Sequence, residues 1–322
     1  MRPVFAILAD GADVTAAINS RLVSLTVTDV VGSEVDTCEL VVDDRNGEVV
    51  PPPHQAQLTV SMGFAERGLV ELGTFLVDET RSSGPPATLA ISASAADMNG
   101  GIRAPRTKSW EAKSVGDMVR EIAGDHGLEA AVAERLDGIT LPFVAQSAES
   151  DLNFLERLAR QYNFRFAPKS GRLVALERSS DTLPDGTATP EVALDRGDLR
   201  SWDLGLPDRG RYGRIKVRWQ NVGTGTTEVI TVGEDLPERE LRHIYDSAEA
   251  AAQAATAALQ SAQTSTAAGK LNLATFRGDI FAGSRVRLTN FQAALVGPYT
   301  VTRVEHRLST EFTTTLDLEA LP

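Results

Sequence analysis

The segment QSAESDLNFLERLARQYNFRF, residues 146–166, carries three local signals in succession. Ser150 is a hydroxyl placed to accept the free amides of a helix start, and Glu149 and Asp151 beside it suit the positive end of the helix dipole. Phe154, Leu155, Leu158 and Ala159 then recur at the spacing of one helical face. Asn163 tolerates a left-handed backbone, and Phe164 and Phe166 alternate beyond it as in a strand. The same pattern stands 36 positions earlier. Ser114 falls on Ser150, with Asp117 three residues on. Met118, Val119, Ile122 and Ala123 fall on the apolar four, Gly127 on Asn163, and Leu128 and Ala130 on the two phenylalanines. Residues 105–178 therefore read as two copies of a helix–cap–strand unit, the second continuing through PKSG into RLVALE as a hairpin.

Outward from this centre the pattern has a period of two. In residues 4–95, Leu25 and Val27 alternate on one side of a turn, and Cys38, Leu40 and Val42 on the other. Ala56, Leu58, Val60 and Met62 share one face, and LGTFLVDET and ATLAISAS follow, separated by SSGPP. These short strands predict a small antiparallel barrel or sandwich over residues 1–100. From about residue 190 strands return in GRIKVRWQ and TTEVITV, then in KLNLATF, SRVRLTNF, GPYTVTRVEHRLS and EFTTTLDLE. An alanine-rich helix at 247–268, capped by Asp246 or Ser247, interrupts them. The expected architecture is mainly β: one β region at 1–100, an α+β insert at 101–185, and a second β region at 186–322.

Composition excludes several function classes. The net charge of −12 opposes sequence-independent nucleic-acid binding, which depends on neutralising phosphates. PVFAILA, behind a single Arg2, is too short and lacks the cleavage pattern of a signal peptide, and no apolar run reaches spanning length. Synthesis in the cytoplasm and no membrane partner are expected. The single cysteine, Cys38, falls among core-facing residues and reads as an inert thiol.

Candidate chemistry is thin. His54, His126, His243 and His306 share no metal-ligand spacing, and His306, alternating with Val304 and Leu308, reads as a partly buried or surface residue of a strand. GKL at 269–271 and GTGTT at 223–227 lack the context of phosphate loops, and no G-x-S-x-G elbow occurs. No catalytic, cofactor-binding or metal-binding residue is assigned and no cofactor is expected. A hydrolytic carboxylate pair would be Glu149 with Asp151, but helix-start acids account for both. The basic run with Arg209, Arg211, Arg214, Lys216 and Arg218, beside Tyr212 and Trp219, could face a polyanion. The simpler reading is a solvated face opposite a core face of Ile215, Val217 and Trp219.

Gln146, Ser147, Glu149, Ser150, Asp151, Phe154, Leu155, Arg157, Leu158 and Ala159 match the Q-S-x-E-S-D-x-x-F-L-x-R-L-A run of the late control D protein family. The chain resembles this family, the baseplate hub of contractile-tailed phages and phage-tail-like bacteriocins, related to the hub part of type VI secretion spike proteins. Gly73, Phe75, Val77 and Asp78 resemble an early strand of its first barrel. Ala282, Gly283, Val286, Leu288, Gly297, Tyr299, Val301, Val304, His306, Thr315, Leu316 and Leu318 resemble its closing strands. Asn163 departs from the glycine common there.

The resemblance implies two tail-tube-like barrels per chain and a homotrimer acting as symmetry adapter between the hexameric tail tube and the trimeric central spike. It implies a place in the virion tail baseplate, with the spike, tube, tape-measure and baseplate wedge proteins as partners and partner-interface residues unknown. With no appended lysozyme or needle-like part in the sequence, a separate spike protein is expected. A cell-wall hydrolase using an acidic pair near Glu149 is the alternative.

Overall fold

The computed structural model describes residues 1–95, 101–169, 171–177, 189, 191–205, 212–221, 223–264 and 268–321. Strands dominate, so the chain is mainly β as expected.

Residues 3–95 form β1 (Pro3–Ala9), β2 (Ala12–Asp13), the short helix α1 (Thr15–Asn19), β3 (Leu22–Val30), β4 (Thr37–Asp43), β5 (Gln57–Phe64), β6 (Gly68–Ser83) and β7 (Thr88–Ala95). They pair antiparallel in the order β3-β4-β7-β6-β5-β1-β2. The alternating residues of the sequence point inward: Leu25, Val27, Cys38, Leu40, Val42, Leu58, Val60 and Met62 are all buried. Each large side chain removed from water contributes about 1.5–3 kcal/mol, which fixes the register because a one-residue slip would expose the whole set. Burial pushes the Cys38 thiol up to about 12, so it stays protonated and inert. Gly73 sits beside a register shift between β5 and β6 at a φ of 146°, and a Cβ there would lie 3.1 Å from the Phe75 ring. Its bare Cα lets Phe75 fold back into the core.

The middle of the chain comprises β8 (Arg106–Ser114), α2 (Val115–Asp125), β9 (Glu129–Val132), β10 (Thr140–Glu149), α3 (Asp151–Tyr162), β11 (Phe164–Lys169) and β12 (Arg172–Glu177). Ser114 Oγ accepts from the Asp117 amide at 3.0 Å and Ser150 Oγ from the Asn153 amide at 3.2 Å. Gly127 (φ 69°) and Asn163 (φ 54°) are both left-handed. The repeat is longer than the sequence suggested, since each helix is also preceded by a strand. Ala112 and Ala148, again 36 apart, both have positive φ (47° and 50°) two residues before the cap. β8 and β10 pair with each other, while β11, β12 and β9 form a second small sheet in which β9 runs parallel to β12. The apolar faces of α2 and α3 fill the core between them with Met118, Ile122, Phe154, Leu155 and Leu158.

The last third differs from a second antiparallel barrel over 186–322. β13 (Glu191–Asp195) and β14 (Leu199–Gly205) are followed by β15 (Arg214–Asn221), β16 (Thr226–Val232), β17 (Glu238–Tyr245) and α4 (Ala248–Thr264). β18 (Ala268–Leu273), β19 (Arg285–Thr289), β20 (Gly297–Leu308) and β21 (Phe312–Ala320) complete the chain. β15, β16 and β17 stand apart as their own sheet under α4, with β17 parallel to β15. Their core is Ile215, Val217, Tyr245, Ala251, Ala254 and Ala255, the small alanines letting the helix approach closely. α4 is described as far as Thr264, residues 265–267 of the expected helix lie outside the described residues, and Ala268, its expected last residue, belongs to β18. Ser247 caps it, accepting from the Ala250 amide at 3.2 Å. β13 pairs parallel to β19, against the antiparallel expectation.

The flanking β units are continuous. β20 pairs antiparallel with β3, from Arg303 opposite Val30 to Leu308 opposite Leu25, making one 13-stranded sheet. Phe276 and Phe312 stack at 4.3 Å between centroids, and Phe64 of β5 meets Phe312 at 5.1 Å, so the first core is completed by side chains from the end of the chain.

Candidate functional site at the junction of the units

The motif that opens α3 surrounds a buried carboxylate. Asp151, its side chain 1% exposed, accepts from Arg106 Nε at 2.7 Å and Gln146 Nε2 at 2.8 Å through Oδ1, while His126 Nε2 lies 2.7 Å from Oδ2. Gln146 also donates to the Glu149 carbonyl at 3.1 Å and accepts from Trp110 Nε1 at 3.2 Å. The Trp110 ring stacks on Phe154 at 5.5 Å, with Lys108 Nζ 4.1 Å from its centroid. Arg106 extends the network to Asp125 at 2.8 Å. A charge removed from water persists only where partners satisfy its lone pairs, and here three of them do.

Asp151 is therefore more than a helix-start acid. It ties β8, the end of α2 and the start of α3 together, and the sequence reading missed its partner Arg106 and the Trp110 indole that holds Gln146. The one available signal was the 36-residue offset, which places Trp110 on Gln146.

Glu149 has a separate set of contacts. It pairs with Arg157 on the outside of α3, and Arg157 also donates to the Ala145 carbonyl at 2.9 Å. The two acids of the hydrolytic alternative thus look to different sides of the cap: Asp151 is closed in by Arg106, Gln146 and His126, and Glu149 is held by a guanidinium.

A second cluster joins the three units. Lys169 of β11 forms ion pairs with both Asp29 of β3 and Asp36. Asp29 Oδ2 also accepts the Ala282 amide at 2.7 Å, and the Gly32 amide donates to the Phe166 carbonyl at 2.9 Å. Burial raises the Asp36 carboxyl from its ordinary value, against the pull of Lys169.

The basic strand is β15. Arg214 and Lys216 pair with Glu238, and Arg218 with Glu240, both from β17, while Ile215 and Val217 are buried on the opposite face. Its cations are neutralised within the sheet. Arg209 and Arg211 lie outside the described residues. The histidines are dispersed: His54 is exposed, His126 serves Asp151, and His243 meets Tyr245 edge-on at 4.6 Å. His306 is buried rather than partly exposed, its Nδ1 2.9 Å from Thr314 Oγ1. Among the described residues no three His, Cys, Asp or Glu side chains are grouped as metal ligands, and no helix is long and apolar enough to cross a membrane.

This fold is similar to that of solved tail proteins. The solved 43 kDa tail protein of prophage MuSo2 from Shewanella oneidensis superposes with a TM-score of 0.72 over 98% of each chain, at 14% identity. An E. coli protein described as a component of the type VI secretion system matches at TM-score 0.56 and 12% identity, over 94% of this chain and 73% of its own. The sequence narrows the class. The family model described as phage tail baseplate hub (GPD) matches residues 88–311. A relative from Escherichia phage P2 named "Probable baseplate hub protein" is 30% identical over 99% of this chain and 93% of its own length. The chain belongs to the phage tail baseplate hub family.

Proposed function

We propose that the protein is a non-enzymatic symmetry adapter: a homotrimer, housed in the tail baseplate, that joins the hexameric tail tube to a trimeric central spike. The observation that carries this reading is the β3–β20 seam, which sets two β units of one chain edge to edge. Three chains with two such units each present six, so a three-fold assembly offers a six-part ring to the tube. The first unit corresponds to residues 1–100 and the second to β13, β14 and β18–β21, both tube-like, with the 101–185 insert on the periphery. Tape-measure and wedge proteins are further partners of the same ring.

Light scattering on the purified protein with its spike protein, combined with electron micrographs of the complex, tests the proposal. Three copies in a ring with six lobes are expected. Monomers at high concentration, or a ring of six chains, would refute it.

A further inference from the structure

Strands β14, β18, β19, β20 and β21 repeat β3, β4, β5, β6 and β7, in the same chain order and the same pairings. The registers agree in detail. The β6–β7 ladder skips Asp78 between Val77 and Glu79, and the β20–β21 ladder skips Thr302 between Val301 and Arg303. The β3–β4 ladder shifts between Leu22 and Ser24, and the β14–β18 ladder between Leu199 and Ser201. Ahead of β5, the Gln55 amide donates to the Val77 carbonyl at 2.9 Å; ahead of β19, the Gly283 amide donates to the Val301 carbonyl at 2.8 Å. Both donors have positive φ, 69° and 96°. The likeness stops at the next strand, where β1 joins β5 antiparallel and β13 joins β19 parallel. Residues 79–83 thus correspond to 303–307, and 24–28 to 201–205.

The β3–β20 seam joins 303–308 to 25–30. Each of these edges therefore has a structural copy elsewhere in the chain, and both copies are bare. Among the described residues β14 pairs only with β18, and β6 beyond Asp78 only with β7. Burial differs accordingly. Within the seam Leu25 and His306 are 0% and 3% exposed, whereas their counterparts Trp202 and Ser82 are exposed, Trp202 by 38%. Residues 78–83 are exposed without exception. A bare strand edge keeps unpaired amides and carbonyls that accept a further strand.

We propose that these two edges form the joint between neighbouring copies of the chain. β14 of one copy adds antiparallel to the outer half of β6 in the next, in the register of the β3–β20 seam. Arg81 lies opposite Gly205, Ser82 opposite Leu204 and Ser83 opposite Asp203. The occupant is a second copy because each edge duplicates one whose partner is seen within the chain. The joint is head-to-tail, so every copy offers one edge of each kind. Internal seam and external joint then repeat one geometry around the ring. Closure at three copies rests on the reading given above; the joint itself rests on the register.

Full-length chains carrying Ser83→Cys or Asp203→Cys, both at exposed positions, are mixed with the spike protein and a mild oxidant. Directly opposed ladder residues lie within the about 4.4–6.8 Å Cα separation that a disulfide spans. Cys38 is buried and does not interfere. The mixture is expected to give at least about tenfold more disulfide-linked dimer than either variant alone. Ser83→Cys mixed with Thr226→Cys, on the bare edge of β16, should not link. In the unsubstituted chain, amide exchange should slow within 81–83 and 203–205 on assembly. Self-linkage of either variant as efficient as in the mixture, equal linkage to Thr226→Cys, or unprotected amides in the assembled chain would overturn the joint. A six-lobed ring of three copies without linkage between positions 83 and 203 would overturn the joint and leave the ring standing. Linkage within a filament, or within a ring of another copy number, would uphold the joint and refute three-fold closure.

Discussion

Ser109 and Ala145 face each other across β8 and β10, and they occupy the same position in the two copies of the repeat. Equivalent residues of an antiparallel pair meet only where a local two-fold axis passes between them. The two strand–helix–strand units are therefore related by that axis. Trp110 and Gln146, also equivalent, bond across it: one copy supplies an indole donor and the other an amide acceptor. The amide in turn holds Asp151.

Asp151→Asn is expected to lower stability by about 3 kcal/mol, because it leaves Arg106 and His126 facing a neutral amide in a buried site. Glu149→Gln, at a partly exposed ion pair, should cost less than about 1 kcal/mol. Urea unfolding of both variants measures the difference; equal losses would contradict the assignment of the buried site to Asp151.

Ala112 and Ala148 hold a conformation that L-residues adopt at a cost of about 1 kcal/mol. Replacing either by glycine should raise stability by about 0.5 kcal/mol, part of the relief being cancelled by a freer unfolded chain. Valine at either position should lower it by more than about 1 kcal/mol. Thermal unfolding midpoints report both signs.

Asn163→Gly should leave stability within about 0.5 kcal/mol, since both residues accept the left-handed cap, whereas Asn163→Ala should cost about 1 kcal/mol. Both variants lose the 2.8 Å bond from Asn163 Nδ2 to Gln260 Oε1 of α4, so the difference between them reports the left-handed cap alone. Denaturation midpoints of the two variants, side by side, check the order.

Burial lowers His306 from its ordinary 6.5 to about 4, outweighing Asp279 and the backbone bond with Ile280. The unfolded chain then holds more protons than the native one between those values. This contribution to stability is complete above about pH 6.5, declines as the pH falls toward about 4, and amounts to roughly 3 kcal/mol over the window. His306→Gln should flatten that part of the stability–pH curve, read by denaturant titration at pH 7, 5.5 and 4.

The helices, their caps and the barrel strands were legible because each is written in local spacing. Ser114, Ser150, Gly127 and Asn163 act within four residues of the backbone they cap. The seam between Leu25–Val30 and Arg303–Leu308 was not legible, because no local signal chooses one strand edge over another. For the same reason GRIKVRWQ read as a barrel strand: its alternation is genuine, but its sheet is decided by α4, through alanines with little apolar signal of their own. Within the candidate site, the motif residues Gln146 and Asp151 stood out, while Arg106 and His126 looked like ordinary polar residues until the fold brought them to one carboxylate.

The β3–β20 seam also sets a timetable for the making of this protein. The edge of β3 is synthesised early, and the strand that covers it arrives about 270 residues later, roughly 15 to 55 s at a synthesis rate of about 5–20 residues per second. Throughout that interval a nascent chain exposes an adhesive strand and an incomplete aromatic cluster. A ribosome that stalls short of Phe312 releases a chain with that core still open, which chaperones and proteases can tell from the finished product.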